Sequence, residues 1–259
     1  METMSPHTLK LAAVLAAAVA LGAPSVANAA FTLPGQNTWD VRTDVVSKNA
    51  GHQLAYGLSS PRSITVCADC QGGESASLGS YAGGTQLTAF LTDSNCTATF
   101  DSNGNHARVT QLGQLKWGIE WDDTGGTCGF PDEDFNDLIA TITATYRFGG
   151  LRDPVDPGVV NVAKAGSAIP VKFSLSGNAG LGIFEDDYPS SRTIACTSGL
   201  PTDLIEETTV ANGSGLKYEA ASDQYNYVWK TNKAWAGTCR ELNLKLTDGT
   251  SHTARFAFK

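Results

Sequence analysis

Apolar and polar residues alternate through much of this chain. From Leu115 to Asp122, Leu, Trp, Ile and Trp fall on one face and Lys, Gly, Glu and Asp on the other. From Ile139 to Phe148, Ala140, Ile142, Ala144, Tyr146 and Phe148 oppose Ile139, Thr141, Thr143, Thr145 and Arg147. A period of two marks a strand with one buried face. The same period recurs at Val171–Leu175, Tyr225–Trp229, Leu242–Leu246 and Ala254–Phe258. Gly, Asn, Asp and Ser punctuate these runs, as antiparallel turns require. Only Asp203–Val210 offers a helical pattern, and its β-branched Thr208-Thr209-Val210 weakens it. The pattern predicts an all-β protein of two antiparallel β-sandwiches in tandem, jelly-roll or immunoglobulin-like.

One apolar run breaks the alternation. Leu11–Ala23 is 13 residues long, which is too short to span a bilayer comfortably. Lys10 precedes it, Pro24 ends it, and Ala27-Asn28-Ala29 has the small-x-small form of a cleavage site. Residues 1–29 therefore read as a signal peptide, so the mature protein is expected to be secreted and extracellular. No Cys directly follows the run, and Phe256-Ala257-Phe258-Lys259 does not resemble a sorting tail or an anchor. The mature form is expected to have no membrane span.

Composition narrows the class further. The 259 residues carry a net charge of −8, and 41% are hydrophobic. An acidic chain lacks the basic footprint that nucleic acid requires, and this much apolar content argues against disorder. The Gly/Pro-rich stretch Gly149–Gly158 reads as a linker, dividing residues 30–150 from 151–259. Residues 30–152 hold 13 acids and 7 bases, whereas 153–259 hold 12 and 10. The first half is therefore the chemically unusual one. Nothing in the sequence sets the oligomeric state.

All six Cys follow the leader, and an even number in a secreted chain points to disulfides. Cys196 and Cys239 are alone in the second half and are expected to pair. Four Cys in the first half admit three connectivities, and Cys67–Cys70 with Cys96–Cys128 is the working pairing. Cys67 and Cys70 form a C-x-x-C, but no second such pair or clustered His completes a zinc site.

In the second half, Asn161–Leu175 contains Pro170-Val171-Lys172-Phe173. Ala195-Cys196, Tyr225–Thr231, Trp235–Arg240 and Leu246-Thr247-Asp248-Gly249 follow in order. This series resembles the PxKF domain, an immunoglobulin-like module of secreted bacterial proteins. The resemblance spans about residues 153–259 and implies no catalytic residues. Tyr225, Tyr227 and Trp229 share one strand face. That face suits a core packed on the disulfide better than a sugar platform. Trp235, in a turn-like stretch, is the better candidate for an exposed aromatic.

The sharpest local feature lies at residues 120–137. Glu120, Asp122, Asp123, Asp132, Glu133, Asp134 and Asp137 occur there without a single base. Carboxylates packed so closely repel one another unless something neutralises them. Calcium suits such a site, because it takes six to eight oxygens from carboxylates, amides and carbonyls. Asp132, Asp134, Asn136 and Asp137 are the first candidate ligands, with Glu120 and Asp122 second, on the polar face of their strand. The run is not an EF-hand, since Asp137 stands at the glycine position. Gly118-Ile119-Glu120-Trp121-Asp122, Gly125-Gly126 and Asp132–Ile139 resemble secreted β-sandwich domains of bacterial adhesin-like and matrix proteins. Their pattern is G-F-E-D, a glycine-rich turn and D-x-D-Y-N-D. Here Trp121 interrupts the Glu-Asp pair, and Cys128 and Pro131 enter the turn. The resemblance implies calcium and a binding or matrix role.

No G-x-S-x-G elbow, H-E-x-x-H helix or phosphate-cradling loop occurs. His52 and His106 fall in a loop and a turn. The expectation is a non-catalytic secreted binding or matrix protein with a polysaccharide or cell-surface ligand. The alternatives are a structural protein whose acidic loop is simply solvated, and a secreted hydrolase.

Overall fold

The computed structural model of the chain describes residues 31–123, 133–202, 207–208 and 215–259. The leader at 1–29, Cys128, Asp132 and most of 203–210 lie outside them. Glu207–Thr208, within the stretch with a helical pattern, pairs as a strand with Ser190 and Ser191. The described residues are nearly all β. One 3-10 turn, Lys233–Trp235, is capped by Asn232, whose side chain accepts from the Ala234 amide.

Strands form four sheets around two cores. In the first half, one sheet runs Phe31–Thr32, Gln86–Asp93, Leu54–Ser60, Ile64–Cys67, with Ala98–Asp101 also on Gln86–Asp93. The other runs Ser75–Ala82, Thr38–Lys48, Leu138–Tyr146, Lys116–Trp121, Ala107–Gly113. Every pairing in these two sheets is antiparallel. The expected alternation appears directly, with Leu138, Ala140, Ile142 and Ala144 buried and the intervening residues half-exposed. Both sheets bury one face in a common core, where Phe31 meets Trp117 and Tyr56 meets Trp121 edge-on. Tyr56 Oη and Thr43 Oγ1, one from each sheet, form a 2.9 Å hydrogen bond, which satisfies two polar groups inside the core.

The second half repeats the layout. Leu151–Arg152, Ala168–Phe173, Gln224–Lys230 and Leu216–Glu219 form one sheet. Val160–Ala163, Ser251–Phe258, Cys239–Lys245, Ser190–Ile194 and Glu207–Thr208 form the other. The antiparallel expectation fails at one edge, where Val160–Ala163 runs parallel to Ser251–Phe258. These two strands are far apart in sequence, so no tight turn fixes their relative direction.

The linker reading of Gly149–Gly158 also needs correction. Leu151 and Arg152 pair with Phe173 and Lys172, and Val155 is buried in the second core. Neighbouring contacts hold the halves together. The Thr38 amide donates to Ser176 O at 3.1 Å, and Tyr146 packs against both cores.

Tyr225, Tyr227 and Trp229 lie in the second core, which agrees with the core reading of that face. The Cys196–Cys239 bridge, however, does not join the two sheets. Cys239 opens a strand paired to Ser190–Ile194, and Cys196 lies just past that neighbour, so the bridge staples two adjacent strands. Trp235 is a correction to the expectation of exposure. It is 8% exposed, packed on Trp229 and Phe258, with the Arg240 guanidinium 4.1 Å from its ring centre. The 3-10 turn rolls the indole inward, where an apolar ring of this size gains most from burial.

Asp223 organises one end of this half. It accepts from Ser174 Oγ at 2.6 Å, Tyr218 Oη at 2.9 Å and the Gly177 amide at 3.1 Å. The Ser174 hydrogen bond leads in holding its carboxyl below the usual value, against partial desolvation. A depressed carboxyl contributes stability at pH values above the unfolded pKa, and this is lost as pH falls through the folded value. Asp223→Asn is therefore expected to flatten the acid limb of a stability-against-pH curve below about pH 4. An unchanged acid limb in chemical denaturation contradicts this role.

Candidate metal site

The acidic segment sits at one end of the first sandwich. Trp121 is fully buried and ends the strand Lys116–Trp121. The ladder continues one step beyond it. The Asp122 amide donates to His106 O at 3.0 Å, and the Asp137 amide donates to Trp121 O at 3.1 Å. These bonds carry the backbone of Asp122 and Asp123 inward. Asp122 is 0% exposed and Asp137 is 7% exposed. Strand parity placed Asp122 with Glu120 on the polar face, but the strand stops at Trp121 and its alternation no longer applies.

The returning segment is pinned from several sides. The Glu133 amide donates to Asp122 Oδ2 at 2.9 Å, and the Asp123 amide to Asp137 Oδ2 at 2.7 Å. The Asn136 amide donates to Asp134 Oδ1 at 3.2 Å. Asn49 donates from its amide to Asp137 O at 2.9 Å and from Nδ2 to Asn136 Oδ1 at 3.0 Å. Phe135 leaves the core and lies under the Arg108 guanidinium, 3.6 Å from its ring centre.

Carboxylate oxygens of Asp122, Asp134 and Asp137 lie within 4.8 Å of one another. Oxygens held at about 2.3–2.6 Å from one calcium are at most about 5 Å apart, so this spacing fits a single ion. Hard, charged oxygens are also the donor type that calcium prefers over softer metals. Asp134 is exposed, which leaves one side of the cluster open to solvent. Of the other expected ligands, only Glu120 stands apart from this cluster. Asp132 lies outside the described residues. Asn136 Oδ1 accepts a hydrogen bond from Asn49 Nδ2. Glu120 is exposed and stands opposite Arg108 and Ile139 in the ladder, outside the cluster.

Residues that the pattern did not single out complete this end. Asp93 is fully buried, and its Oδ1 accepts from the Asn95 amide at 2.8 Å. His52 Nε2 is buried between two carboxylates, 3.0 Å from Asp93 Oδ1 and 3.3 Å from Asp123 Oδ2. His106 is 7% exposed, stacks on Phe100 at 3.8 Å, and its Nδ1 lies 3.0 Å from Asp122 O. Asp93 did leave a signal. It follows Leu87, Ala89 and Leu91 in phase with the buried face of its strand, a position where a charge needs a partner. His52 left no local signal, because its carboxylates come from distant segments.

Of the expected disulfides, the described residues contain Cys67–Cys70 and Cys196–Cys239. Cys96 is disulfide-bonded, and the pairing proposed for it with Cys128 falls outside the described residues. Compared with known proteins, the chain matches no family model, no curated protein and no solved structure.

Proposed function

We propose that this chain is a secreted, non-catalytic binding or matrix protein whose first half is stabilised by calcium at the Asp122, Asp134 and Asp137 cluster. The observation that carries this reading is the convergence of three carboxylates from two separate stretches, two of them withdrawn from water. Burying charge is costly unless it is hydrogen-bonded and neutralised. Backbone amides supply hydrogen bonds to Asp122 and Asp137, and a divalent cation would supply the charge. The leader-like first 29 residues and the cysteine usage support an extracellular setting, where calcium is plentiful. The resemblance of the second half to the PxKF module fits the same setting. The ligand class is a polysaccharide or cell surface.

Co-sedimentation of the purified chain with insoluble polysaccharides and with bacterial cells tests this function. Retention in millimolar calcium, lost in excess chelator and without release of soluble sugar, is the expected result. Absence of retention on every matrix favours a purely structural role. Release of soluble sugar supports a hydrolase.

A further inference from the structure

A histidine, the side chain whose ordinary pKa lies nearest neutral pH, sits where the two halves meet. His252, on the strand Ser251–Phe258, stacks face to face on Phe148, with ring centroids 3.5 Å apart and planes 6° apart. Phe148 follows the last strand of the first half and stacks in turn on Phe173 of the second core. His252 Nε2 lies 3.2 Å from Thr250 Oγ1. That hydroxyl gives its one hydrogen to Asp248 Oδ1, 2.7 Å away. Toward the imidazole it therefore accepts, and Nε2 carries the hydrogen.

Asp248 extends the connection. Its Oδ1 also takes the Thr250 amide at 2.9 Å, and its Oδ2 takes the Tyr146 amide at 2.6 Å. Tyr146 ends the strand Leu138–Tyr146, stacks on Trp39 at 4.9 Å and brings its hydroxyl to 3.2 Å from Thr247 Oγ1. One polar chain thus runs from the imidazole to the end of a central strand in the other half.

We propose that His252, Thr250, Asp248 and Tyr146 form a pH-responsive latch between the two halves, closed while His252 is neutral and loosened when it is protonated. A second proton enters at Nδ1, the nitrogen the hydrogen-bond chain does not use. It places a charge on a ring that is half-buried and pressed on Phe148. Burial lowers the pKa of His252 and outweighs the opposing pull of Asp248. A base whose folded pKa is depressed contributes stability at high pH, lost as pH falls through its unfolded value toward the folded one. Asp248 is the charged group facing His252 from its own hairpin. From the first half it meets the Phe148 ring and, through Asp248, the Tyr146 amide. Arg147 between them is exposed, and its carbonyl accepts from Ser176 Oγ.

Hydrogen exchange at the Tyr146 amide reads the latch, because that hydrogen is the one Asp248 holds. After correction for intrinsic exchange, protection in the purified chain is expected to fall at least threefold between about pH 7.5 and about pH 5.5. His252→Phe keeps the stack and cannot titrate, so its protection is expected to stay constant over that range. His252→Gln serves the same purpose if the phenylalanine variant does not fold. Unchanged or rising protection in the native chain overturns the proposal, as does an equal fall in the variants.

Discussion

Alanine at position 52 is expected to destabilise the first half by about 3 kcal/mol. His52 Nε2 is placed between Asp93 and Asp123, and both carboxylates are almost fully buried. Removing the imidazole takes one neighbour from two buried carboxyl groups, and taking a partner from a buried polar group costs about 1–3 kcal/mol, more when it is charged. Two such groups give about 3 kcal/mol, because the imidazole is itself partly exposed and other donors remain, among them the Asn95 amide on Asp93. The loss is expected to be coupled to the carboxylates. Asp93→Asn placed in the His52→Ala background then recovers a substantial part of it. Urea denaturation of the four proteins of the cycle measures the coupling. Additive losses show that His52 acts by packing alone.

Removing the Cys196–Cys239 bridge, by Cys196→Ala with Cys239→Ala, is expected to cost about 4 kcal/mol. The bridge spans a sequence separation of 43, and in the chain-entropy model a longer closed loop constrains the unfolded state more. The Cys67–Cys70 bridge closes a separation of 3, for which the same model gives about 2 kcal/mol. The two losses should also appear in different halves. The first lowers the unfolding midpoint of the strands around Trp229, and the second that of the strands around Tyr56. A loss below about 1 kcal/mol for the long bridge shows that its effect is not mainly on the unfolded chain.

Much of the fold was legible because strand alternation is a local property. Ala140, Ile142 and Ala144 were assigned to a buried face from spacing alone, and that is where they lie. The same logic failed where local pattern and tertiary packing diverge. Asp122 follows the strand by one residue, and the ladder turns it inward. Trp235 occupies a turn, yet the turn folds its indole onto Trp229 and Phe258. The Gly/Pro-rich stretch after residue 148 carries the composition of a linker, but Val155 within it fills a hole in the second core.

The acidic cluster was legible in outline and not in detail. A run of carboxylates without bases marks this end of the sandwich as the acidic one. Which of them meet depended on loop geometry that no spacing rule encodes. Asp134 and Asp137 converge with Asp122, while Glu120 turns outward beside Arg108 in the ladder. His52, Asp93 and His106 come from other connections and were invisible as a group. Only the assembled fold brings four segments of the chain to one edge.

The most direct test of the calcium reading is the thermal unfolding of metal-stripped protein with and without about 10 mM calcium. A site with a dissociation constant of about 10⁻⁴–10⁻³ M adds about 1.4–2.7 kcal/mol under those conditions, a rise of several degrees. Asp134→Ala is the informative variant, because Asp134 is exposed and its loss leaves no hole in the core. The account predicts a clear rise in the native chain and none in Asp134→Ala. An unfolding temperature indifferent to calcium in both proteins contradicts it.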